Sequence, residues 1–161
     1  MKDVYLGLGG NVGNVAETLA VARNMLEADI GSVIRISSLY KTEPWGNKEQ
    51  HAFLNQVVCL QTLLTPKDVL KKILEIEKKL GRSRDKDNQF GPRTIDIDIL
   101  FLGDEIVNEG NLVIPHPRLH LRNFVLTPLH EIAPELVHPL LHQTISDLLQ
   151  SSTDESSVIK A

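Results

Sequence analysis

The stretch "GPRTIDIDILFLG", residues 91–103, constrains the fold more than any other part of the chain. Ile95, Ile97, Ile99 and Phe101 alternate with Thr94, Asp96, Asp98 and Leu100. Successive side chains of a strand point to opposite faces, so the isoleucines and Phe101 share one face and the two aspartates share the other. Neighbouring like charges repel, and burial strips their water. Such a strand needs something cationic against Asp96 and Asp98. Their α-carbons fall roughly 7 Å apart, two strand rises. Carboxylates so placed can converge on one Mg2+ or bridge two ions about 3.5–4 Å apart. A solvated strand face is the commoner outcome for two aspartates at this spacing. Apolar flanks and a basic cluster immediately upstream favour the metal here.

That cluster is "GRSRDKDNQFGPR", residues 81–93, with Arg82, Arg84, Lys86 and Arg93. The arginine fork matches phosphate oxygens bidentately and stays charged when desolvated. Arginines in a loop beside two metal-binding carboxylates describe a polyphosphate site. Asp85 and Asp87 could instead neutralise the loop locally, and without Asp96 and Asp98 a solvated charge run would be the better reading.

With 161 residues, 42% of them hydrophobic, residues 1–161 suit a single domain with its own core. The polar stretch "SSTDESS" lacks periodicity, and residues 151–161 read as a flexible, frayed tail. No apolar run approaches the ~18 residues of a membrane span, and "MKDVYLGLGG" is too short in apolar residues for a signal peptide. A cytoplasmic location is expected. The lone Cys59 excludes an internal disulfide framework and a cysteine-based zinc site. A net charge of −4, from 17 basic and 21 acidic residues, argues against a nucleic-acid or anionic-membrane partner.

Along the chain, Val4 to Leu8 reads as a strand, followed by the loop "GGNVGN". Leu19, Ala22, Leu26 and Ile30 recur at helical spacing, predicting a helix over residues 15–30 stopped by Gly31. "SVIRISSLYKT" and "AFLNQVVCLQTLL" read as strands separated by a polar loop. Thr65 caps a second helix with Pro66 at its first position, and Gly81 ends it. The Asp-bearing strand runs from Thr94 to about Leu102, and residues 124–133 and 144–149 read as short helices. The order βαββαβ predicts an α+β, ferredoxin-like fold: a mostly antiparallel sheet, helices on one face, the other free for a ligand and long loops.

Other motifs carry less. "GLGGNVGN" resembles a dinucleotide fingerprint, but the third glycine would fall on Val12, so a tight strand-to-helix turn is the better reading. Phe53 and Asn55 share a strand face, and a ring beside an amide suits a flat, hydrogen-bonding heterocycle. Taken alone, such a pair is more often core and turn. Glu77, on the apolar stripe of the second helix, needs a partner, an arginine or a strand-end backbone group, and reads as structural support. Among the six histidines, His116 in "IPHPR" is the candidate for phosphate contact. Cys59 reads as buried and inert.

Taken together, "FGPRTIDIDIL", "LGLGGNVGN", "SSLYKTEPWG", "FLNQVV", "EIEKKLGRSR" and "IPHPRLHLRNFVLTPLHEIAPELVHP" resemble the 6-hydroxymethyl-7,8-dihydropterin pyrophosphokinase family of folate biosynthesis. The likeness runs from about Tyr5 to Pro139 with the segments in family order. It implies transfer of the β,γ-pyrophosphate of ATP to the pterin hydroxymethyl group, releasing AMP, with two Mg2+ ions on a ferredoxin-like core. By position, Asp96 and Asp98 would hold both ions. Arg82, Arg84 and Arg93 would bind the triphosphate, Arg82 and Arg93 acting in catalysis with the aspartates. His116 would lie nearby and Arg122 close to the transferred group. Phe53 and Phe124 would sandwich the pterin, Asn55 would bond its edge, and the backbone of Thr42, Pro44 and Trp45 would complete that pocket. Phe90, Gln89, Asn111 and Pro117 depart from residues found in some members. Loops at 9–14, 43–50 and 82–92 are expected to close over ATP. The partners implied are ATP and the pterin, for a monomer rather than a dimer. The rivals are a metal-dependent phosphohydrolase and a nucleotide sensor or RNA-binding module. The acidic balance and the missing aromatic-rich RNA-binding strand oppose the last.

Overall fold

The computed structural model describes residues 1–42, 52–81 and 95–161. Alternation builds its first strand, β1 (Lys2–Gly10), where Val4, Leu6 and Leu8 bury on one face and Tyr5, Gly7 and Gly9 occupy the other. Helix α1 (Val15–Asp29) starts where the Asn14 side chain accepts the Glu17 N–H at 3.3 Å. Its stripe of Val15, Leu19, Ala22 and Leu26 is buried, and Ile30 caps its end. Helix α2 (Pro66–Lys79) begins as expected, with the Thr65 hydroxyl accepting the Asp68 N–H at 3.2 Å and proline in the first turn.

The predicted strand "SVIRISSLYKT" is broken into β2 (Gly31–Ile36) and β3 (Tyr40–Thr42). The cause is Ser37, whose hydroxyl accepts the Val57 N–H at 2.9 Å while its carbonyl accepts from the Gln56 amide at 2.7 Å. Serine side chains compete with ladder hydrogen bonds in this way. Both pieces pair with β4 (Phe53–Thr62), β2 along Val58–Thr62 and β3 along Phe53–Asn55. β4 pairs with β1 along its length, and β1 pairs in turn with β5 (Asp96–Leu102). All these pairings are antiparallel, and the strands run β5-β1-β4-β3 across the sheet with β2 beside β4. This is the expected α+β, ferredoxin-like arrangement. α1 and α2 supply Leu19, Leu26, Ile73 and Ile76 to the core against Val4, Leu6, Ile97 and Ile99.

At Gly31 the chain turns from α1 into the sheet so tightly that a β-carbon would overlap the Gln61 carbonyl oxygen, a backbone atom. Gly31→Ala therefore lowers stability by roughly 2–3 kcal/mol, an overpacking cost, read as a shifted urea midpoint. An unchanged midpoint would contradict this packing.

The opposite face is only partly free. Helices α3 (Asn123–Ile132) and α4 (Ile145–Gln150) cover one end of it, packing Leu126, Leu129 and Leu148 on Tyr5, Val57, Cys59 and Phe101. Among the described residues, the end that these helices leave uncovered carries Asp96 and Asp98. A β-bulge makes the division: β1 moves from Tyr5 to Leu6 while β5 moves from Phe101 to Ile99, leaving Leu100 as an extra residue. Strict alternation put Phe101 with the isoleucines. The bulge turns it to the Tyr5 side, ring centroids 6.3 Å apart, and sends Leu102 to the helix core instead.

A hairpin not foreseen from sequence, β6 (Val107–Glu109) and β7 (Leu112–Ile114), turns at Gly110 with φ +61. Residues 151–161 also differ from the frayed tail expected. Asp154 bonds to α3, and β8 (Val158–Lys160) adds to the sheet beside β3. Backbone pairing needs no apolar pattern, so this polar stretch gave no hydrophobic signal of it. Among the described residues, no helix is long and apolar enough to cross a membrane.

Candidate active site

The sheet register assembles the site from residues distant in sequence. Gly9 lies opposite Asp96 on β5 and opposite Asn55 on β4. One row along, Gly7 lies opposite Asp98 and Val57. Directly opposed residues share a face, so the aspartates and Asn55 stand on the same side of the sheet, roughly 10 Å apart at two strand spacings. Between them the floor is glycine. The sequence suggested a turn for "GLGGNVGN", but Gly7, Gly9 and Gly10 lie within β1 and only residues 11–14 make the connection to α1. The missed signal was glycine at alternate positions, which empties one face of a strand.

Asn55 is buried and its amide donates to the Thr42 hydroxyl at 2.9 Å, which fixes the side chain's orientation. Its Oδ1 then lies over Gly9, only 2.6 Å from where a β-carbon there would sit. Thr42 lies opposite Phe53 on the same edge of the sheet. Phe124, in the first turn of α3, packs on the second core and carries the Arg122 guanidinium 5.5 Å from its ring centroid. Phe53 and Phe124 both remain half-buried, open enough to touch a ligand.

His116 follows β7, and its N–H donates to the Leu100 carbonyl at 3.1 Å, tying this loop to the bulged strand. Its Nδ1 accepts the Arg118 N–H at 3.2 Å, so the ring proton sits on Nε2. Burial pushes its pKa down to about 4, the charges of Arg122 and Arg118 push the same way, and Asp96 opposes them. At neutral pH His116 is an uncharged donor at the aspartate end of the face.

Glu77 finds the strand-backbone partner that its position required. The Ile97 N–H, between the two aspartates, donates to Glu77 Oε2 at 2.8 Å. This buried carboxylate from α2 thus holds the edge strand at the point where it presents Asp96 and Asp98. Cys59 is fully buried, and burial pushes its thiol up to about 11, which makes it unreactive.

Among the described residues, no three His, Cys, Asp or Glu side chains gather as a protein-only metal cage. Two half-exposed carboxylates on one face above a glycine floor are instead the donor set suited to Mg2+, which is held by one or two carboxylates plus substrate phosphates. The chemistry of the residues present fits the ion. Arg82, Arg84, Arg93, Pro44 and Trp45 lie outside the described residues, as do the expected closing loops at 43–50 and 82–92. The structure brings together Asp96 with Asp98, Asn55 with Thr42, and Arg122 with Phe124.

Fold and matching residues define a transferase of the pyrophosphokinase class. The chain belongs to the 7,8-dihydro-6-hydroxymethylpterin-pyrophosphokinase (HPPK) family, whose model matches residues 5–134. It is 39% identical over 153 residues to the 2-amino-4-hydroxy-6-hydroxymethyldihydropteridine pyrophosphokinase of Aquifex aeolicus, covering 95% of this chain and 94% of that one. The enzyme of the same name from Methylorubrum extorquens is 46% identical over 138 residues, covering 85% and 86%. Among solved structures, wild-type HPPK-DHPS of Plasmodium falciparum superposes with a TM-score of 0.71 at 18% identity over 92% of this chain. At that identity the likeness is one of fold, and this chain spans 44% of that longer one.

Proposed function

We propose that this pyrophosphokinase transfers the β,γ-pyrophosphate of ATP to the hydroxymethyl group of 6-hydroxymethyl-7,8-dihydropterin, giving the pterin diphosphate and AMP. One observation carries the reading: Asp96 and Asp98 share a sheet face with an oriented Asn55, with Gly9 between Asp96 and that amide. An anion-handling end and a heterocycle-reading end are thereby held on one rigid sheet, as positioning catalysis requires.

In this reading Asn55, steered by Thr42, hydrogen-bonds the pterin edge, Phe53 and Phe124 stack on its faces, and Thr42, Pro44 and Trp45 line the rim. Arg82, Arg84 and Arg93 neutralise the triphosphate, and the Nε2–H of His116 donates to a phosphate oxygen. Arg122, which sits over the Phe124 ring, would contact the transferred group where it meets the pterin. Asp96 and Asp98 would hold two Mg2+ ions, which when bound supply charge neutralisation on the phosphate oxygens. The pterin hydroxyl oxygen attacks the β-phosphorus, the bond from that phosphorus to the α,β-bridging oxygen breaks, and AMP leaves with that oxygen. The hydroxyl proton goes to solvent. The transition state is loose, so the protein's share is positioning and electrostatics.

Product analysis tests this. AMP and a pterin diphosphate should form in equal amounts, only when ATP, hydroxymethyldihydropterin and Mg2+ are all present. Release of phosphate or pyrophosphate at the same rate without pterin would establish a metal-dependent phosphohydrolase instead.

A further inference from the structure

We infer that Asp154 and β8 are positioning elements for the heterocycle half of the site, Asp154 by capping the helix that carries Phe124 and β8 by pairing with the strand that carries Thr42. The inference rests on the proposed pterin site and extends it to residues beyond the stretch matched by the family model, which ends at residue 134.

The first N–H groups of a helix have no partner within it. α3 receives none from its own N-cap, because the Arg122 side chain makes no capping bond. Asp154 supplies it from 31 residues away: the Asn123 N–H donates to Asp154 Oδ2 at 2.8 Å, and the Asn123 side-chain amide donates to the Asp154 carbonyl at 2.9 Å. The second carboxylate oxygen accepts the Ser156 N–H at 2.9 Å. A negative charge at a helix N-terminus is favourable in its own right. Partial burial works against the charged form, but the bonds from Asn123 and Ser156 hold Asp154 below the usual carboxylate range. The residue so fixed, Asn123, directly precedes Phe124 and follows Arg122.

Four residues on, the same segment reaches the other wall. Val158 lies opposite Thr42, Ile159 opposite Lys41 and Lys160 opposite Tyr40, and the Ala161 N–H donates to the Leu39 carbonyl at 2.9 Å. β3 is three residues long and is held by β4 on one side and β8 on the other. Its Thr42 hydroxyl orients Asn55. Glu131, on α3, closes the loop of contacts by accepting from Ser38 and from the Tyr40 hydroxyl at 2.8–2.9 Å. Residues 154–160 therefore link the helix bearing one pterin-facing ring to the strand steering the pterin-reading amide. β8 also lies four strand spacings from β5, roughly 19 Å away. Loosening it should move the pterin end and spare the nucleotide end.

The experiment uses the whole chain with Asp154→Ala, Asp154→Asn and Ile159→Pro, checked for native unfolding cooperativity. The Ile159 side chain is 61% exposed, so proline there removes a ladder donor with little loss of packing. Calorimetry measures a nonhydrolysable ATP analogue alone, then 6-hydroxymethyl-7,8-dihydropterin at saturating analogue. Asp154→Ala and Ile159→Pro should each weaken pterin binding about tenfold, a factor worth about 1.4 kcal/mol, with nucleotide affinity within twofold of the parent. Asp154→Asn should fall between, since one acceptor oxygen keeps one of the two carboxylate bonds. Pterin affinity within twofold of the parent in both stronger variants, or a parallel loss of nucleotide affinity, would overturn the positioning role. A parent that fails to bind the pterin at all would overturn the underlying function instead.

Discussion

Asp98→Ala lowers kcat by roughly a thousandfold or more at saturating Mg2+ while leaving the unfolding midpoint close to the parent's. Asp98 stands partly exposed on the sheet face, in the row of Gly7 and Val57 and beside Asp96. Several kcal/mol of charge stabilisation depend on a carboxylate that anchors a catalytic ion, and each 1.4 kcal/mol is a tenfold rate. Alanine at this partly exposed strand position opens no cavity in the apolar core, so folding loses little. Steady-state AMP formation combined with urea unfolding separates the two effects. Near-parent turnover would remove Asp98 from the mechanism, and a collapsed midpoint would make its role structural.

Gly9→Ala raises the KM for the pterin by roughly 10- to 100-fold, with a smaller effect on the KM for ATP. A β-carbon at Gly9 would come within 2.6 Å of Asn55 Oδ1, so the amide must leave the orientation that Thr42 enforces. Two edge hydrogen bonds at about 1 kcal/mol each set the size of the loss. The clash is with the end of a side chain, in contrast to the backbone clash at Gly31, so Gly9→Ala should stay much nearer the parent in stability. Equal rises in both KM values would contradict Asn55 as a reader of the heterocycle.

The parts of this architecture visible in the sequence are those with a local physical cause. Alternation in β5 put the isoleucines on the helix side and the aspartates opposite, and Thr65 with Pro66 announced α2. The stripe of α1, with Leu19, Ala22 and Leu26, and the short helix α4 are likewise local. What escaped was long-range. The bulge at Leu100 depends on how β5 meets β1, and it moved Phe101 to the other face. Ser37 breaks a strand through bonds to Gln56 and Val57, about twenty residues away in sequence. The helices on the second face, which restrict the ligand area to the aspartate end, follow from packing against Tyr5 and Cys59 that no window contains. The candidate site was legible as residue types, whereas the role of Gly9 as a floor required the register that sets it between Asp96 and Asn55.

The most direct measurement is a crystal structure of the protein with Mg2+, a nonhydrolysable ATP analogue and the pterin. Electron density is expected for divalent ions coordinated by both Asp96 and Asp98 and by phosphate oxygens, with the pterin edge on Asn55. Nucleotide bound elsewhere, with both carboxylates turned to bulk water and no ion beside them, would contradict it.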